Sequence, residues 1–209
     1  MTEVTDAGGR SFTIAYFTKD TAKKPQIRGK VASITDHVGR QLQFQYYDDG
    51  NLLRIVDHPP ALPSQPPLDN RSWVFTYTTS NGAGPAIPNA ADRVNPDPST
   101  PNQSTSIYSA RDPLGHETLY SYNGPGSSRD RGKVATVTDR AGATTMFSYD
   151  INTQVTTVAA PAPTGQTPRT TAYTYDTSGK VTKVHDALQR DTLVEWSPDF
   201  AVTPARDRI

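Results

Sequence analysis

The stretch GKVASITDHVGRQLQFQYYD, from Gly29 to Asp48, decides the fold, because a close copy of it returns as GKVATVTDRAGATTMFSYD from Gly132 to Asp150. In both copies Gly, Asp, Gly and Tyr stand at offsets 0, 7, 10 and 17 from the first glycine. Self-similarity at a fixed spacing is the sequence signature of a repeat protein. The chain is therefore expected to fold as an array of similar small units.

The same spacing recurs along most of the chain. Gly50 and Asp57 repeat its first half, and Gln189 and Trp196 stand in the glycine and tyrosine places of the last copy. The intervals between motif Asp residues are 30, 21, 55, 27 and 47, so the shortest, 21, is the bare unit and the others carry insertions. The motif residues are Asp6, Gly9, Tyr16, Asp36, Gly39, Tyr46, Asp112, Gly115, Tyr122, Asp139, Gly142, Tyr149, Gly179 and Asp186.

Each unit is predicted to form two short strands around a turn. Alternating apolar residues, such as Val134 and Val137, are typical of the first strand. Asp-x-x-Gly predicts the turn, because Asp bonds nearby backbone N–H groups and Gly accepts a positive φ. The second strand ends in two aromatic residues spaced by two, as in Phe147 and Tyr149, which places both rings on one face. Stacked antiparallel β-hairpins in an all-β fold are therefore expected.

Composition excludes several classes of protein. The chain has 209 residues, no cysteine and balanced charge, 21 basic against 21 acidic residues. Disulfide scaffolds, cysteine-ligated zinc and thiol catalysis are excluded, and nothing favours a nucleic-acid partner or an anionic membrane surface. No apolar run reaches the roughly 20 residues of a membrane helix, and the polar start is unlike a signal peptide. With 34% hydrophobic residues, 14 Gly and 18 Pro, composition alone also fits disorder.

Proline divides the array into segments. Residues 58–107 hold 10 of the 18 prolines, so they are predicted to be insertions around a strand at 73–77. Repeats are expected at 1–57 and 108–196, with a shorter insertion at 159–170 and a C-terminal tail at 197–209. An insertion of this kind is either a recognition loop or a tolerated surface loop, since the entropy of loop closure grows slowly with length.

No convergent catalytic or metal set is evident. The motif Asp residues recur in every unit, as turn residues do, whereas an active site needs one set of different groups. His37, His58, His116 and His185 each lie in a different repeat, and the run Asp48–Asn51 lacks the 12-residue pattern of a calcium loop. The aromatic residues are interpreted as packing groups, and Trp73 and Tyr77 as the test positions of a sugar-stacking alternative. No catalytic residue, cofactor or metal is therefore predicted.

These motifs resemble the RHS repeat, also called the YD repeat. Its signature, Gly-x-Leu/Val-x-x-Val/Ile-x-Asp-x-x-Gly-Arg-x-x-x-aromatic-x-Tyr-Asp, is carried by 29–48 and 132–150, and residues 171–185 contain the Tyr-Asp-x-x-Gly-Lys-Val junction. The resemblance implies a long antiparallel sheet that spirals into a hollow shell. In bacterial Rhs and Tc toxin proteins such a shell encloses a toxic C-terminal domain, and in teneurin-like surface proteins it is an adhesion scaffold.

The resemblance gives the functional expectations. A closed shell uses more repeats than the six or so motif Asp positions here, so a segment of a larger exported or cell-surface polypeptide is expected. Its partners would be further repeats and a C-terminal effector domain, and no enzyme activity is expected. Asp112-Pro113-Leu114-Gly115 is similar to part of the family's autoproteolytic region, but it falls on the ordinary repeat spacing and the rest of that region is missing. A carbohydrate- or protein-binding adhesion module is the alternative.

Overall fold

The computed structural model shows an all-β protein. It describes residues 1–22, 24–59, 71–79, 85–88, 90–99, 106–124, 131–163 and 166–196. These residues contain 14 strands and a single 3₁₀ turn at Pro25–Ile27, and neighbouring strands are antiparallel. The predicted fold class, stacked antiparallel hairpins, is confirmed. The chain forms two compact units, Met1–Thr144 and Thr145–Ile209.

In the first unit each strand pairs with the next one in sequence. Each added strand therefore extends the same antiparallel ladder, whether a five-residue turn or a longer segment connects it to the strand before. The strands are β1 (Thr2–Thr5), β2 (Ser11–Tyr16), β3 (Val31–Thr35), β4 (Gln41–Tyr46), β5 (Leu52–His58), β6 (Arg71–Tyr77), β7 (Ile107–Arg111), β8 (Glu117–Tyr122) and β9 (Val134–Thr138).

The second unit repeats this strand-to-strand arrangement. Phe147 of β10 lies opposite Val158 of β11, and Tyr173 of β12 lies opposite Val184 of β13. One face of this unit therefore carries the aromatic and branched residues. The strands are β10 (Thr144–Tyr149), β11 (Val155–Ala160), β12 (Arg169–Tyr175), β13 (Val181–His185) and β14 (Asp191–Leu193).

The register gives the first unit one apolar and one polar face. Residues directly opposite each other share a face, as do residues two apart on a strand. The apolar face is formed by Val4, Phe12, Ile14, Ile34, Leu42, Phe44, Ile55, Trp73, Phe75, Ala110, Tyr120 and Val137. All of these residues are partly or fully exposed. The opposite face is rich in hydroxyl and amide groups, such as Ser33, Gln43, Ser121 and Thr136.

Burial is concentrated around β5 and β6. Tyr47, Leu53 and Tyr77 form the core cluster, with Phe75 and Ile107 packed against it. The rings of Tyr47 and Tyr77 meet edge to face, with centroids 5.9 Å apart. The core is small because a single sheet gives each strand only its two neighbours to pack against.

The proline-rich region departs from the bare repeat by folding onto the sheet. Ile87 and Arg93, from the described part of residues 85–98, are buried. The expected insertion 58–107 overlaps the last residue of β5, the whole of β6 and the first residue of β7. Residues 60–70, 80–84, 100–105, 164–165 and 197–209 lie outside the described residues. Within the residues that are described, no helix is long and apolar enough to span a membrane.

Candidate functional site

Seven strand connections share one turn built on an aspartate. In the Asp36 turn, Oδ1 accepts the backbone N–H groups of Val38 at 3.0 Å and Arg40 at 2.9 Å. The backbone closes the same turn, because Asp36 N–H donates to the Arg40 carbonyl and Gly39 N–H donates to the Asp36 carbonyl. The same set of bonds is found at Asp6, Asp36, Asp112, Asp139, Asp150, Asp176 and Asp186.

The fourth position of each turn requires a positive φ. Gly39, Gly115, Gly142 and Gly179 adopt φ of 86°, 84°, 79° and 85°, values that glycine tolerates without a Cβ clash. Gln189 stands in the predicted glycine place of the last turn and takes φ of 63°. The Asp-x-x-Gly spacing is thus the local requirement of a five-residue connection between two strands.

The motif tyrosines lie where the register between two strands shifts. A β-bulge occurs at Tyr16, Tyr46, Tyr77, Tyr122, Tyr149 and Tyr175. The hydroxyl donates to the carbonyl of the first residue of the preceding strand in the pairs Tyr46 to Val31, Tyr77 to Leu52, Tyr122 to Ile107 and Tyr175 to Val155. Trp196 substitutes its indole N–H for the hydroxyl and donates to the Val181 carbonyl at 2.6 Å. The repeated aromatic residue therefore joins the ends of two strands.

One turn replaces the aspartate by tyrosine. Tyr47 N–H donates to the Asn51 carbonyl, and Gly50 N–H donates to the Tyr47 carbonyl, so Tyr47 occupies the aspartate position. Its side chain is fully buried, and its hydroxyl donates to the Phe75 carbonyl at 3.0 Å. Burial raises the pKa of Tyr47 well above its ordinary value. With tyrosine in place of aspartate, this turn position is part of the core and does not face solvent.

The interpretation of every motif Asp as a turn residue is wrong for Asp57. This residue lies inside β5, is 0% exposed, and receives hydrogen bonds from Arg40 and Arg71. Arg71 stands directly opposite it on β6. The hydrogen bonds from Arg40 lower the pKa of Asp57, burial opposes this, and Arg71 adds to the lowering. Because residues 59–70 replace a five-residue turn here, Asp57 stays in the strand and pairs with arginines instead of backbone N–H groups.

The four histidines do not converge. His37 is exposed, His58 contacts Gln43 through Nε2 at 3.2 Å, and His185 contacts Asp191 at 2.6 Å. His116 lies beside Asp112, with Nδ1 and Oδ2 3.0 Å apart. Among the described residues there is no group of three or more His, Asp or Glu that could hold a metal ion.

The segment Asp112–Gly115 forms the ordinary turn. Asp112 Oδ1 accepts the N–H groups of Leu114 and His116, both at 2.9 Å. Burial alone would raise the pKa of Asp112, but the ring and backbone hydrogen bonds of His116, with that of Leu114, lower it. The carboxylate is therefore engaged in holding the turn.

A shallow recess opens beside Trp73 on the apolar face of the first unit. Its volume is about 380 Å³, within the range of small-molecule sites. It is lined by Trp73, Ala110, Arg111, Asp112, His116, Thr118, Asp139 and Arg140. Tyr77, the other aromatic residue considered for sugar stacking, is 5% exposed and belongs to the core. Trp73 therefore lines this recess, and Tyr77 does not.

The proline-rich insertion is attached by a buried ion pair that the sequence did not reveal. Arg93 Nε lies 3.0 Å from Glu117 Oε1, and the two side chains are 7% and 16% exposed. Arg93 also donates to the carbonyls of Ile87 and Pro88, and its guanidinium lies over the Tyr108 ring. Nothing local in the sequence marks this pair, because its partners are 24 residues apart.

No protein-family model and no curated protein matches this chain. Among solved structures, one similar chain is a crystal structure of TcdB2-TccC3 without its hypervariable C-terminal region, at 12% identity and a TM-score of 0.41. Another is TcdB2-TccC3-Cdc42, at 13% identity and a TM-score of 0.36.

The matches cover this chain far more fully than they cover the other proteins. The first covers 90% of this chain and 10% of the other, and the second covers 85% and 10%. A Photorhabdus luminescens Tc holotoxin pore is similar over 88% of this chain and 10% of the other, at 13% identity and a TM-score of 0.28. The chain therefore spans about a tenth of the length of the structures that it resembles.

Proposed function

We propose that this chain is a non-enzymatic structural segment of an RHS/YD-repeat shell, which encapsulates or presents an effector domain of a larger bacterial polypeptide. The observation that carries the proposal is the recurrence of one turn, with the same atoms bonded, at seven strand connections. An active site needs one convergent set of different groups. Repetition of a single bonding pattern instead suits a scaffold that is extended hairpin by hairpin.

The exposed apolar face of the first unit is a second reason to propose that a partner lies against the sheet. Phe12 is 39% exposed and Val4 is 42% exposed, and Phe44 and Ile55 on the same face are partly exposed. Large contiguous apolar surfaces in water usually mark an interaction. On this proposal the partner is the effector domain, and further repeats extend the array. The parent polypeptide is exported from bacteria or stays at their surface, as the RHS/YD resemblance implies.

Photo-crosslinking in the full polypeptide encoded by the gene tests the proposal. A photoreactive phenylalanine analogue is placed at Phe44, on the apolar face, and as a matched control at Gln43, the preceding residue on the opposite face. Crosslinked peptides are then identified by mass spectrometry. We expect the analogue at Phe44 to crosslink to a segment outside the repeats and the analogue at Gln43 to give no such product. A gene that encodes only these repeats, or equal crosslinking from both positions, contradicts the proposal.

A further inference from the structure

We propose that Arg40 and Arg71, held in place by the buried Asp57, form a docking site for an acidic side chain of the partner that lies against the apolar face of the first unit. This inference rests on the proposed function, because it names a chemical group of that partner. The site lies at the margin of the face, where Asp57 stands opposite Leu42 of β4 and opposite Arg71 of β6. An Asp or Glu of the partner binds the arginines there, while the residues around it cover the apolar side chains.

A change of ion-pair partner creates the site. In the Asp6 and Asp186 turns, the arginine that ends the turn donates through Nε to the aspartate of its own turn, at 2.8 Å in both. Arg40 holds the same position in the Asp36 turn, but it donates through Nε and a terminal nitrogen to Asp57, at 2.9 and 2.8 Å. Asp57 can accept these bonds because it stays in β5 and does not bind the N–H groups of a turn.

Arg71 brings a positive charge that Asp57 does not need. Arg40 already pairs with Asp57 through two hydrogen bonds, the strong geometry for a guanidinium and a carboxylate. Arg71 adds a third bond, of 2.6 Å, from one terminal nitrogen to a carboxylate oxygen that Arg40 also binds. Among the residues that the structure describes, neither arginine forms an ion pair with another carboxylate. The three bonded groups therefore carry one surplus positive charge.

Asp57 also fixes the positions of the two guanidinium groups. Its side chain is 0% exposed, whereas the side chains of Arg40 and Arg71 are 47% and 59% exposed. Each arginine is thus bonded on its inner side and presents further N–H groups to solvent. Ordering a long side chain opposes binding, and here Asp57 has ordered both before a ligand arrives.

The surrounding charges favour a carboxylate over a phosphate group. The Asp36 carboxylate is close enough to act electrostatically on Arg40, although its Oδ1 accepts the N–H groups of its own turn. A doubly charged phosphate would be repelled by both Asp36 and Asp57. A singly charged carboxylate matches the fork of N–H groups that Arg71 still presents. The expected ligand is therefore the side chain of an Asp or Glu in a partner segment that is otherwise apolar.

Zero-length crosslinking in the full polypeptide encoded by the gene tests the site. Arg71→Lys keeps the charge and supplies a primary amine, which a carbodiimide joins to a carboxylate in direct contact. Arg10→Lys is the matched control, because Arg10 also ends a turn but is paired with the aspartate of that turn, Asp6. We expect Arg71→Lys to give a peptide joined to an Asp or Glu outside the repeats, at least about tenfold more abundant than from Arg10→Lys.

Arg40→Lys is a second variant that places the amine on the other side of Asp57, and it should join the same acidic residue of the partner. In each of the two variants the remaining arginine still pairs with Asp57, and thermal unfolding checks that the sheet is retained. Products that join the new lysines only to residues of this chain, in the same or a second copy, overturn the docking site. Equal yields from Arg71→Lys and Arg10→Lys do so as well.

The photoreactive analogue at Phe44 separates this inference from the proposed function. Crosslinks from Phe44 to a segment outside the repeats, without any such product from the lysine variants, overturn the docking site and leave the proposed function standing. Absence of both kinds of product contradicts the proposed function itself.

Discussion

At the residue scale, the fourth position of the turn shows what the repeat tolerates. Glycine is the motif residue there because φ must be positive, yet Thr153 takes φ of 66° in the Asp150 turn. A β-branched residue in this region is strained, since its Cβ crowds the backbone. The turn still forms, because Asp150 Oδ1 accepts the N–H groups of Asn152 and Gln154. The aspartate can thus hold the geometry without glycine.

Thr153→Gly should therefore stabilise the second unit. Removing the strained Cβ is expected to raise the free energy of unfolding by about 1 kcal/mol. This is the net gain, because glycine makes the unfolded chain more flexible and folding then costs more conformational entropy. Urea unfolding followed by circular dichroism measures the change. The control is Thr177→Gly, a threonine in the next turn outside the positive-φ position, which should be neutral or destabilising. A destabilised Thr153→Gly protein would show that the threonine is not strained.

At the element scale, the motif tyrosine joins neighbouring strands. Tyr77 is the most buried of the bulge tyrosines, and its hydroxyl donates to the Leu52 carbonyl at 2.9 Å. Burial raises the pKa of Tyr77 to about 12. Because Tyr77 itself is 5% exposed, losing its hydroxyl removes this partner of the Leu52 carbonyl at a site that the ring covers.

Tyr77→Phe is accordingly expected to lower the free energy of unfolding by about 1–2 kcal/mol. Tyr16→Phe is the matched control, because Tyr16 occupies the same bulge position but is 38% exposed. That control should change stability by less than about 0.5 kcal/mol. Chemical denaturation of both variants measures the difference, and equal effects would mean that the hydroxyl bond contributes nothing specific.

A second element-scale feature is the cross-strand pair between β13 and β14. His185 lies opposite Asp191, with Nδ1 and Oδ1 2.6 Å apart, and Lys183 lies 2.7 Å from the other carboxylate oxygen. The hydrogen bond to Asp191, assisted by Gln189, raises the pKa of His185 above its ordinary value of 6.5. A raised pKa stabilises the folded state below the unfolded pKa, and this contribution is lost as pH rises through the folded pKa.

Titration of the histidine ring signals by NMR checks this expectation. The His185 resonance should titrate above pH 6.5 in the wild type and move toward or below 6.5 in Asp191→Asn. The Asn variant removes the charge while keeping the shape of the side chain. An unchanged His185 midpoint in this variant would show that Asp191 does not set it.

At the scale of the whole molecule, the first unit owes its most buried region to contacts distant in sequence. The pairs Arg93–Glu117 and Arg54–Asn95 attach residues 85–88 and 90–98 to the polar face of the sheet, where Val74 is buried. Burial would raise the pKa of Glu117, but the hydrogen bonds from Arg93 dominate and lower it below its ordinary value of 4.5. This contribution to stability is present above 4.5 and is lost as pH falls through the lowered pKa.

Arg93→Ala is expected to release the insertion and lower the free energy of unfolding by about 3 kcal/mol, because Glu117 is left without its partner. The double variant Arg93→Met/Glu117→Leu removes both charges and should recover most of this loss. Hydrogen exchange of residues 85–98 is the measurement, and acidification of the wild type should increase that exchange. Equal exchange in Arg93→Ala and in the wild type would show that the ion pair does not hold the insertion.

The parts of the structure that could be predicted are those set by neighbours in sequence. The alternation in Val31–Thr35 and the Asp36–Gly39 spacing require only local hydrogen bonds and allowed φ values, and these give the all-β hairpin class. Asp57 carries the same motif, but its role depends on the length of the following connection and on Arg71 across the strand. The recess at Trp73 depends on the small size of Ala110, which no local pattern relates to it.

Local sequence alone predicts a stack of antiparallel hairpins, because a turn needs only five consecutive residues and a strand only an alternating pattern. Which side chains face each other across strands and turns depends on the tertiary structure. It buried Asp57 between two arginines, attached the proline-rich insertion through Arg93, and placed Arg140 beside Trp73. These contacts join residues far apart in the chain, and they arise only when the register sets which strands and turns are neighbours.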